Sequence, residues 1–335
     1  MKKKKAYNVA VIGVGVVGQE MLRILKERNF PVKDLKVFAR SAREIQVDGA
    51  SYSVQEISPD GFEGVDIALF AGTEGEKGAS VTFASEAVKR GAVVIDNGAD
   101  FRMDPDVPLV VPEVNPKDAK KYRKKGIIAN PNCSTIQMVV ALGPIHKVAK
   151  LKRIIVSSYQ AVSGAGRGGV SQLEDELKGA DTLAKTFAHR IALNVIPQIG
   201  SFGENDYTSE EWKMIRETHK ILHSDKIKIS ATTVRVPVVT GHSEAIYIET
   251  KKDISLDNLK KLLKNSPGIE LVDSPKDNLY PLPIVSEGKD AVFVGRVRRD
   301  PYVKNAFWLW VVSDNLRKGA ALNAIQIAEL LIDKK

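Results

Sequence analysis

The stretch "NVAVIGVGVVGQEMLRILKERN", residues 8–29, constrains the fold more than any other part of the chain. A short run of β-forming apolar residues ends at Gly13, and Gly13, Gly15 and Gly18 spell GxGxxG directly before a helical pattern, with Val16 and Val17 completing the loop. Glycines at this spacing between a strand and a helix permit a tight turn and let the backbone approach a pyrophosphate held at the helix N-terminus. The strand–turn–helix setting gives the motif this meaning; a glycine-rich turn that binds nothing is the plainer alternative.

The chain beyond this helix keeps the same rhythm. "LKVFA" (35–39), "VDIALFAG" (65–72) and "AVVIDNG" (92–98) read as strands, with "SEAVKRG" (85–91) as part of a helix between two of them. Strands that are apolar throughout and separated by helices imply a parallel sheet covered on both faces. From about residue 150 the strands become longer and more alternating: "RIIVSSYQAV", "KISATTVRVPV", "EAIYIET", "AVFVGRVRRD" and "NAFWLWVVSD". Between them lie helical stretches such as "SQLEDELKG", "EEWKMIRETHKIL" and "LDNLKKLLKN". The expected fold class is α/β: a Rossmann-type doubly wound N-terminal domain, residues 1–133 plus the C-terminal helix in 315–335, and a second α+β domain, residues 134–314.

Length and composition agree with this layout. At 335 residues the chain exceeds one small core, and a prior of ~150 residues per domain suggests two. With 43% hydrophobic and 27% charged residues it has the make-up of a water-soluble globular protein. The apolar runs, such as "AFWLWVV", fall short of the roughly 18 residues that span a bilayer, so no membrane partner is expected. The opening "MKKKKAYNVAVIGVGVVG" is basic, but it runs straight into the glycine loop and reads as a solvated tail rather than a secretion signal. A single cysteine makes an internal disulfide impossible, which suits a reducing, cytoplasmic setting. The net charge of +9 is spread along the chain without a dense arm or interleaved aromatics, so an anionic small molecule is expected in preference to nucleic acid.

At the end of the second strand an NAD enzyme usually carries Asp or Glu for the ribose hydroxyls. Here "LKVFA" runs into Arg40 and Ser41, followed by Arg43. A cation and a hydroxyl suit a 2′-phosphate, so NADP is the expected cofactor.

The lone cysteine, Cys133, stands in "NPNCSTIQ", where Pro131 turns the chain and a helical apolar pattern begins. A thiol at a helix N-terminus feels free backbone N–H groups and the positive end of the dipole, which favours the thiolate. A buried structural cysteine would more naturally lie inside an apolar run. A thiolate nucleophile needs a proton partner. His219 and His223, four apart on one helix, have the spacing of metal ligands but no accompanying third ligand, and no metal is expected. His242 follows a strand and a glycine in "RVPVVTGHSEA", beside Arg235, and is the better partner.

Taken in order, "FRMDPDVPLVVPEVNP" (101–116), "NPNCSTIQ", "YQAVSGAG" (159–166), "EEWK" (210–213), "RVPVVTGHSEA" (235–245) and "DNLRKGAALNA" (314–324) resemble aspartate-semialdehyde dehydrogenases over essentially the whole chain. The resemblance implies Cys133 as nucleophile, His242 as acid/base and Gln160 as the amide that orients the acyl carbon. It implies Arg235 on the substrate carboxylate, Glu210 on its ammonium, and Arg102, Asn132 and Lys213 on the phosphate. Ser163 and Gly164 would lie near the nicotinamide, and Asn315 would bind its carboxamide. The activity implied is NADPH-dependent reduction of L-aspartyl 4-phosphate to aspartate semialdehyde, leading to lysine through diaminopimelate, threonine, methionine and isoleucine. The implied assembly is a homodimer or homotetramer built through the second domain.

The residue types suit that chemistry: a carboxylate, an ammonium and a phosphate are answered by Arg, Glu and an Arg/Lys pair. Each also has a plain reading. Arg102, Lys213 and Glu210 could be surface charges, Gln160 a strand cap and Asn315 a helix N-cap. Another acyl-phosphate reductase, acting on N-acetylglutamyl phosphate, would share the cysteine mechanism but offer no ammonium to Glu210. A catalytically dead nucleotide-binding relative would be expected to have lost Cys133 or His242. The departures from the family lie on the cofactor side: a glycine loop one residue shorter, Arg43-Glu44 after Arg-Ser, and "FAGTEGEKGAS" (70–80) where a short turn with serines is usual. Glu44, facing an adenosine ribose, would admit NAD.

Overall fold

The structure, a computed structural model, describes residues 3–72, 78–180 and 186–332. The chain divides into two compact units, Met1–Asn132 with Ala320–Lys335, and Cys133–Gly319. The second division falls later than the expected residue 315. Asp314 is the reason: its side chain accepts the Leu316 and Arg317 N–H groups, its carbonyl accepts Gly319 N–H, and so 314–319 stays with the strand before it.

In the first unit β1 (Tyr7–Ile12), α1 (Val16–Glu27), β2 (Val32–Ala39), β3 (Arg43–Val47), β4 (Ala50–Glu56), β5 (Ile67–Phe70), α2 (Ala79–Lys89), β6 (Val93–Asp96) and β7 (Ile127–Ala129) succeed one another in chain order. Their sheet has seven strands in the order β3-β4-β2-β1-β5-β6-β7, parallel except for the β3–β4 pair. This is the doubly wound arrangement expected, with the order reversing between β1 and β5, where such sheets bind ligands.

The second unit contains α3 (Cys133–Ala149), β8 (Leu151–Gln160), α4 (Gly166–Leu177), α5 (Ser209–Ile221), β9 (Lys228–Arg235), β10 (His242–Thr250), α6 (Leu256–Lys264), β11 (Ile269–Leu271), α7 (Pro283–Ser286), β12 (Val292–Arg299) and β13 (Ala306–Ser313). Its mixed sheet runs β11-β12-β13-β10-β8-β9. The alternation visible in the sequence becomes two faces. Ile154, Val156, Ile246, Ile248, Leu309 and Val311 are buried on the face that carries α3. Ile155, Tyr159, Trp308 and Trp310 lie on the other, with Tyr159 against Trp310 and Tyr247 against Trp308 at ring-centroid distances of 5.6 and 5.2 Å.

The chain then returns to the first unit as α8 (Leu322–Leu331), packed against α1. Leu322, Ile325 and Ile327 are buried with Met21, Ile24 and Leu25, each such side chain contributing about 1.5–3 kcal/mol of apolar burial. A two-pronged ion pair from Arg28 to Glu329, 3.0 and 2.7 Å, fastens the same helices.

Candidate active site

In the second unit Cys133 is the first residue of α3 and is half-buried. The next residue, Ser134, is fully buried, and its Oγ accepts a hydrogen bond from Gln160 Nε2 at the end of β8. The same amide nitrogen donates to Glu210 Oε1 at 3.2 Å, and Lys213 Nζ lies 3.8 Å from Glu210 Oε2. Gln160 thereby joins the helix of Cys133 to the helix of Glu210.

Local sequence explains the placement of Glu210 and Lys213. Thr208 and Glu211 form a capping box at the start of α5, the Thr208 side chain accepting Glu211 N–H and Glu211 Oε2 accepting Thr208 N–H at 2.7 Å. Glu211 Oε1 also accepts Thr233 N–H, 2.9 Å away on β9. The helix start is therefore pinned to the strand that ends in Arg235.

Arg235 is only 5% exposed. Its Nη1 donates to Ala161 O at 2.6 Å and the Phe187 ring centre lies 5.7 Å from its Cζ, while Nε has no hydrogen-bond partner among the described residues. Burial lowers the proton affinity of the guanidinium, and its electrostatic interactions with Glu210 and then Cys133 offset this in part. The cation and the thiol are thus close enough to act on each other electrostatically.

His242 opens β10 and is fully buried. Its Nδ1 accepts a hydrogen bond from Ala161 N–H at 3.1 Å, and Nε2 has no partner among the described residues. Burial, followed by the charge of Arg235, pushes its pKa well below the ordinary histidine value. The ring is neutral, and because Nδ1 accepts, the proton resides on Nε2. Gly164 makes room for both groups: a Cβ there would lie 2.8 Å from Arg235 Nη1 and 3.2 Å from His242 Nε2. Asn315 Nδ2 donates to Ser163 Oγ at 3.0 Å, and its Oδ1 accepts Gly241 N–H at 2.9 Å. Among the expected site residues, Cys133, Gln160, Ser163, Gly164, Glu210, Lys213, Arg235, His242 and Asn315 all lie in this unit.

Arg102 and Asn132 belong to the first unit. Both are buried, with Arg102 Nε donating to Asn130 O at 2.9 Å and Nη2 to Asn97 O at 2.7 Å. The GxGxxG loop is also here. Gly13 has φ +95°, and a Cβ on Gly18 would lie 1.8 Å from the Gly13 carbonyl oxygen, so glycine is required for the turn to close. Gly15 is the N-cap of α1, which has no side-chain cap and no acidic residue in its first turn; Val16, Val17 and Gly18 form that turn. Its open N–H groups suit a pyrophosphate. Arg40 and Ser41 are exposed at the C-terminal end of β2, and Arg43 Nη1 donates to the Ser41 carbonyl and Oγ, both at 3.2 Å. Glu44 is carried into the edge strand β3, opposite Ser53. In the 70–80 stretch, residues 73–77 lie outside the described residues.

His219 Nε2 is engaged with Ile227 O at 2.8 Å, and among the described residues no group of three or more His, Cys, Asp or Glu could hold a metal. No helix of the described residues is long and apolar enough to cross a membrane. Ala161, which serves Arg235 through its carbonyl and His242 through its amide, was not legible as a site residue because it acts only through its backbone. Phe187 had no motif to mark it.

Two family models match the chain in succession: a semialdehyde dehydrogenase NAD binding domain over residues 8–122 and a semialdehyde dehydrogenase dimerisation domain over residues 142–318. A dinucleotide fold followed by a domain with a helix-initiating cysteine therefore defines an oxidoreductase of the semialdehyde dehydrogenase class. The chain is 52% identical to the aspartate-semialdehyde dehydrogenase of Aquifex aeolicus, covering 97% of this chain and 98% of that one, and 50% identical to that of Bacillus subtilis, covering 98% of each. Crystal structures of aspartate semialdehyde dehydrogenase II from Vibrio cholerae, one of them complexed with ASA, superpose with TM-score 0.93 at 45% identity, over 98–99% of this chain and 99% of theirs. The Candida albicans enzyme with NADP superposes with TM-score 0.74 at 25% identity, over 97% of this chain and 98% of that one. The chain belongs to the aspartate-semialdehyde dehydrogenase family.

Proposed function

We propose that this protein catalyses the reversible, NADPH-dependent reductive dephosphorylation of L-aspartyl 4-phosphate to L-aspartate 4-semialdehyde, in the aspartate pathway. The observation that carries the reading is the half-buried thiol of Cys133 at the start of α3, within electrostatic reach of Arg235 and one residue from the Ser134–Gln160–Glu210 chain. The helix N-terminus and the guanidinium both favour the thiolate. Its sulfur attacks the acyl carbon, the C–O bond to phosphate breaks with its electron pair leaving on phosphate, and a Cys133 thioester remains. NADPH, when bound, supplies the hydride that reduces this thioester. The C–S bond then breaks, returning the thiolate and releasing the aldehyde.

His242 acts from its neutral form. With the proton on Nε2, it donates a hydrogen bond to the oxygen on which negative charge collects in the adduct before and after hydride addition. The Ala161 hydrogen bond to Nδ1 supports the donor half of the acid/base role. Arg235, whose Nε is buried without a partner among the described residues, offers that donor to the substrate carboxylate, and Glu210 receives the ammonium. Gln160 orients the acyl group, while Lys213, Arg102 and Asn132 hold phosphate. Gly13, Gly15, Val16, Val17 and Gly18 hold the pyrophosphate, with Ser163, Gly164 and Asn315 at the nicotinamide. Arg40 and Ser41 at the end of β2, with Glu44 drawn off into β3, favour NADP over NAD.

The assembly proposed is a homodimer through the outer sheet face bearing Ile155, Tyr159, Trp308 and Trp310. Residues 142–318, which include this face, match the dimerisation domain model.

Absorbance at 340 nm tests the chemistry. Purified protein given aspartate semialdehyde, phosphate and NADP is expected to reduce the cofactor only when phosphate is present, and faster with NADP than with NAD. Absence of turnover with both cofactors overturns the enzyme reading. Cys133→Ser is expected to abolish turnover while leaving NADPH binding intact; loss of both would mark the cysteine as structural.

A further inference from the structure

Below the catalytic groups, the sheet face that carries α3 continues as a second polar layer. Glu244 comes two residues after His242 on β10, so its side chain lies on the same face. It is fully buried, and neither carboxylate oxygen has a hydrogen-bond partner among the described residues. Directly across on β8 is Ser158, two residues before Gln160, with its Oγ buried and equally without a partner among the described residues. Gln137 comes down from α3, one helical turn after Cys133. Its Oε1 accepts a hydrogen bond from Ser313 Oγ at 2.7 Å, and Ser313 is the register partner of His242 on β13. The Gln137 Nε2 meets no partner in full hydrogen-bond geometry, although the amide lies near enough to Glu244 to act on its ionisation.

Three of the four elements that frame this layer also carry a proposed catalytic group: α3 carries Cys133, β10 carries His242 and β8 carries Gln160, while β13 contributes Ser313 and Val311. The groups facing Glu244 are Gln137 from α3, Ser158 from β8 and Val311 from β13, and none is charged. A carboxylate anion here would be buried with no cation among these neighbours, a costly arrangement, whereas a neutral carboxyl has an O–H to donate and a carbonyl to accept.

Resting on the reading of Cys133 as nucleophile, we propose that Glu244 is a positioning residue held as a neutral carboxylic acid. It donates to Ser158 Oγ and accepts from Gln137 Nε2, and so fixes the first turn of α3, with its thiol, against the strands of His242 and Gln160. Burial pushes the Glu244 carboxyl well above the ordinary carboxylate range, and Gln137 offsets this only in part. Its contribution to stability is thus fully present below the ordinary Glu value and is lost as pH rises through the folded value.

The test compares the full-length wild type with Glu244→Gln and Glu244→Leu. Iodoacetamide alkylation of Cys133 is followed against pH, kcat is measured with aspartate semialdehyde, phosphate and NADP, and thermal stability is followed between about pH 5 and pH 9. Glu244→Gln, neutral and of the same shape, is expected to keep kcat and the alkylation profile within about threefold of wild type and to abolish the alkaline loss of stability. Glu244→Leu, which gives Ser158 and Gln137 nothing to bond, is expected to slow turnover roughly ten- to a hundredfold, to shift the alkylation profile and to change KM less than kcat. If Glu244→Gln is as impaired as Glu244→Leu, an ionised carboxylate is required and the proposal fails. Wild-type behaviour of Glu244→Leu overturns it equally, because no polar partner is then needed. An active wild type that resists iodoacetamide would instead remove Cys133 as the nucleophile, a separate result that leaves the kcat comparison to decide Glu244.

Discussion

At His242 a backbone amide decides where the proton sits. The Ala161 N–H occupies Nδ1, and burial with Arg235 nearby keeps the ring uncharged. Because the folded pKa lies below the unfolded one, His242 contributes stability above about pH 6.5, and this is lost as pH falls through the folded value. Thermal melts between about pH 8 and pH 5 should therefore show wild type losing stability on acidification more steeply than His242→Gln; parallel profiles would mean that the ring is not held neutral. Gly164 gives a second prediction at this scale. Since an added Cβ would crowd both Arg235 and His242, Gly164→Ala should lower kcat roughly ten- to a hundredfold without changing the circular dichroism spectrum. An unimpaired Gly164→Ala enzyme would show that the contact is not limiting. Cys133 and His242 stand out in the sequence as candidates because few residue types can do the chemistry proposed for them. The tautomer does not, because it depends on an amide brought from a different strand.

At the level of elements, α5 shows how a local signal positions a distant group. The Thr208–Glu211 capping box closes the helix, and Glu211 then reaches Thr233 on β9. Thr208→Ala should cost about 1 kcal/mol in urea denaturation and raise the KM for aspartate semialdehyde, since the positions of Glu210 and Lys213 are set by this helix start. An unchanged KM would separate the cap from the site. The capping box is written in "TSEE" and could have been read directly; the Thr233 contact could not. The β3–β4 hairpin was also readable, from the Asp48-Gly49 turn, both residues having positive φ, but the helix–strand rhythm around it masks two short edge strands. Helix α1 begins at Val16, inside the glycine motif rather than directly after it, because Gly15 and not Gly18 is the cap. Gly18 instead serves close approach, its hydrogen taking the place where any Cβ would strike Gly13.

For the whole molecule, the outer face of the second sheet carries the assembly prediction. Ile155 is 39% exposed at a position whose register partner is Tyr247, itself packed at a tilt against Trp308. If this face is the dimer interface, Ile155→Glu should shift sedimentation velocity from dimer to monomer and lower the melting temperature, because a charge would be buried there without a partner. A variant that stays dimeric would place the interface elsewhere. The amphipathic alternation of β8, β10 and β13 announces two faces, one of which has to meet α3. That the other is aromatic over three neighbouring strands emerges only from the register, since the contributing residues lie far apart in the chain.

The sequence by itself determined the doubly wound first unit and the α+β character of the second, and it singled out Cys133 as the candidate nucleophile, because periodicity, glycine spacing and residue chemistry are local properties. Tertiary structure alone decided that Gln160 bridges Ser134 and Glu210, that Ala161 serves both Arg235 and His242 through its backbone, and that the Glu244 carboxyl is buried on the same sheet face as His242. Those outcomes depend on which strands become neighbours and on how completely water is excluded between them, and neither is encoded in any single stretch of chain.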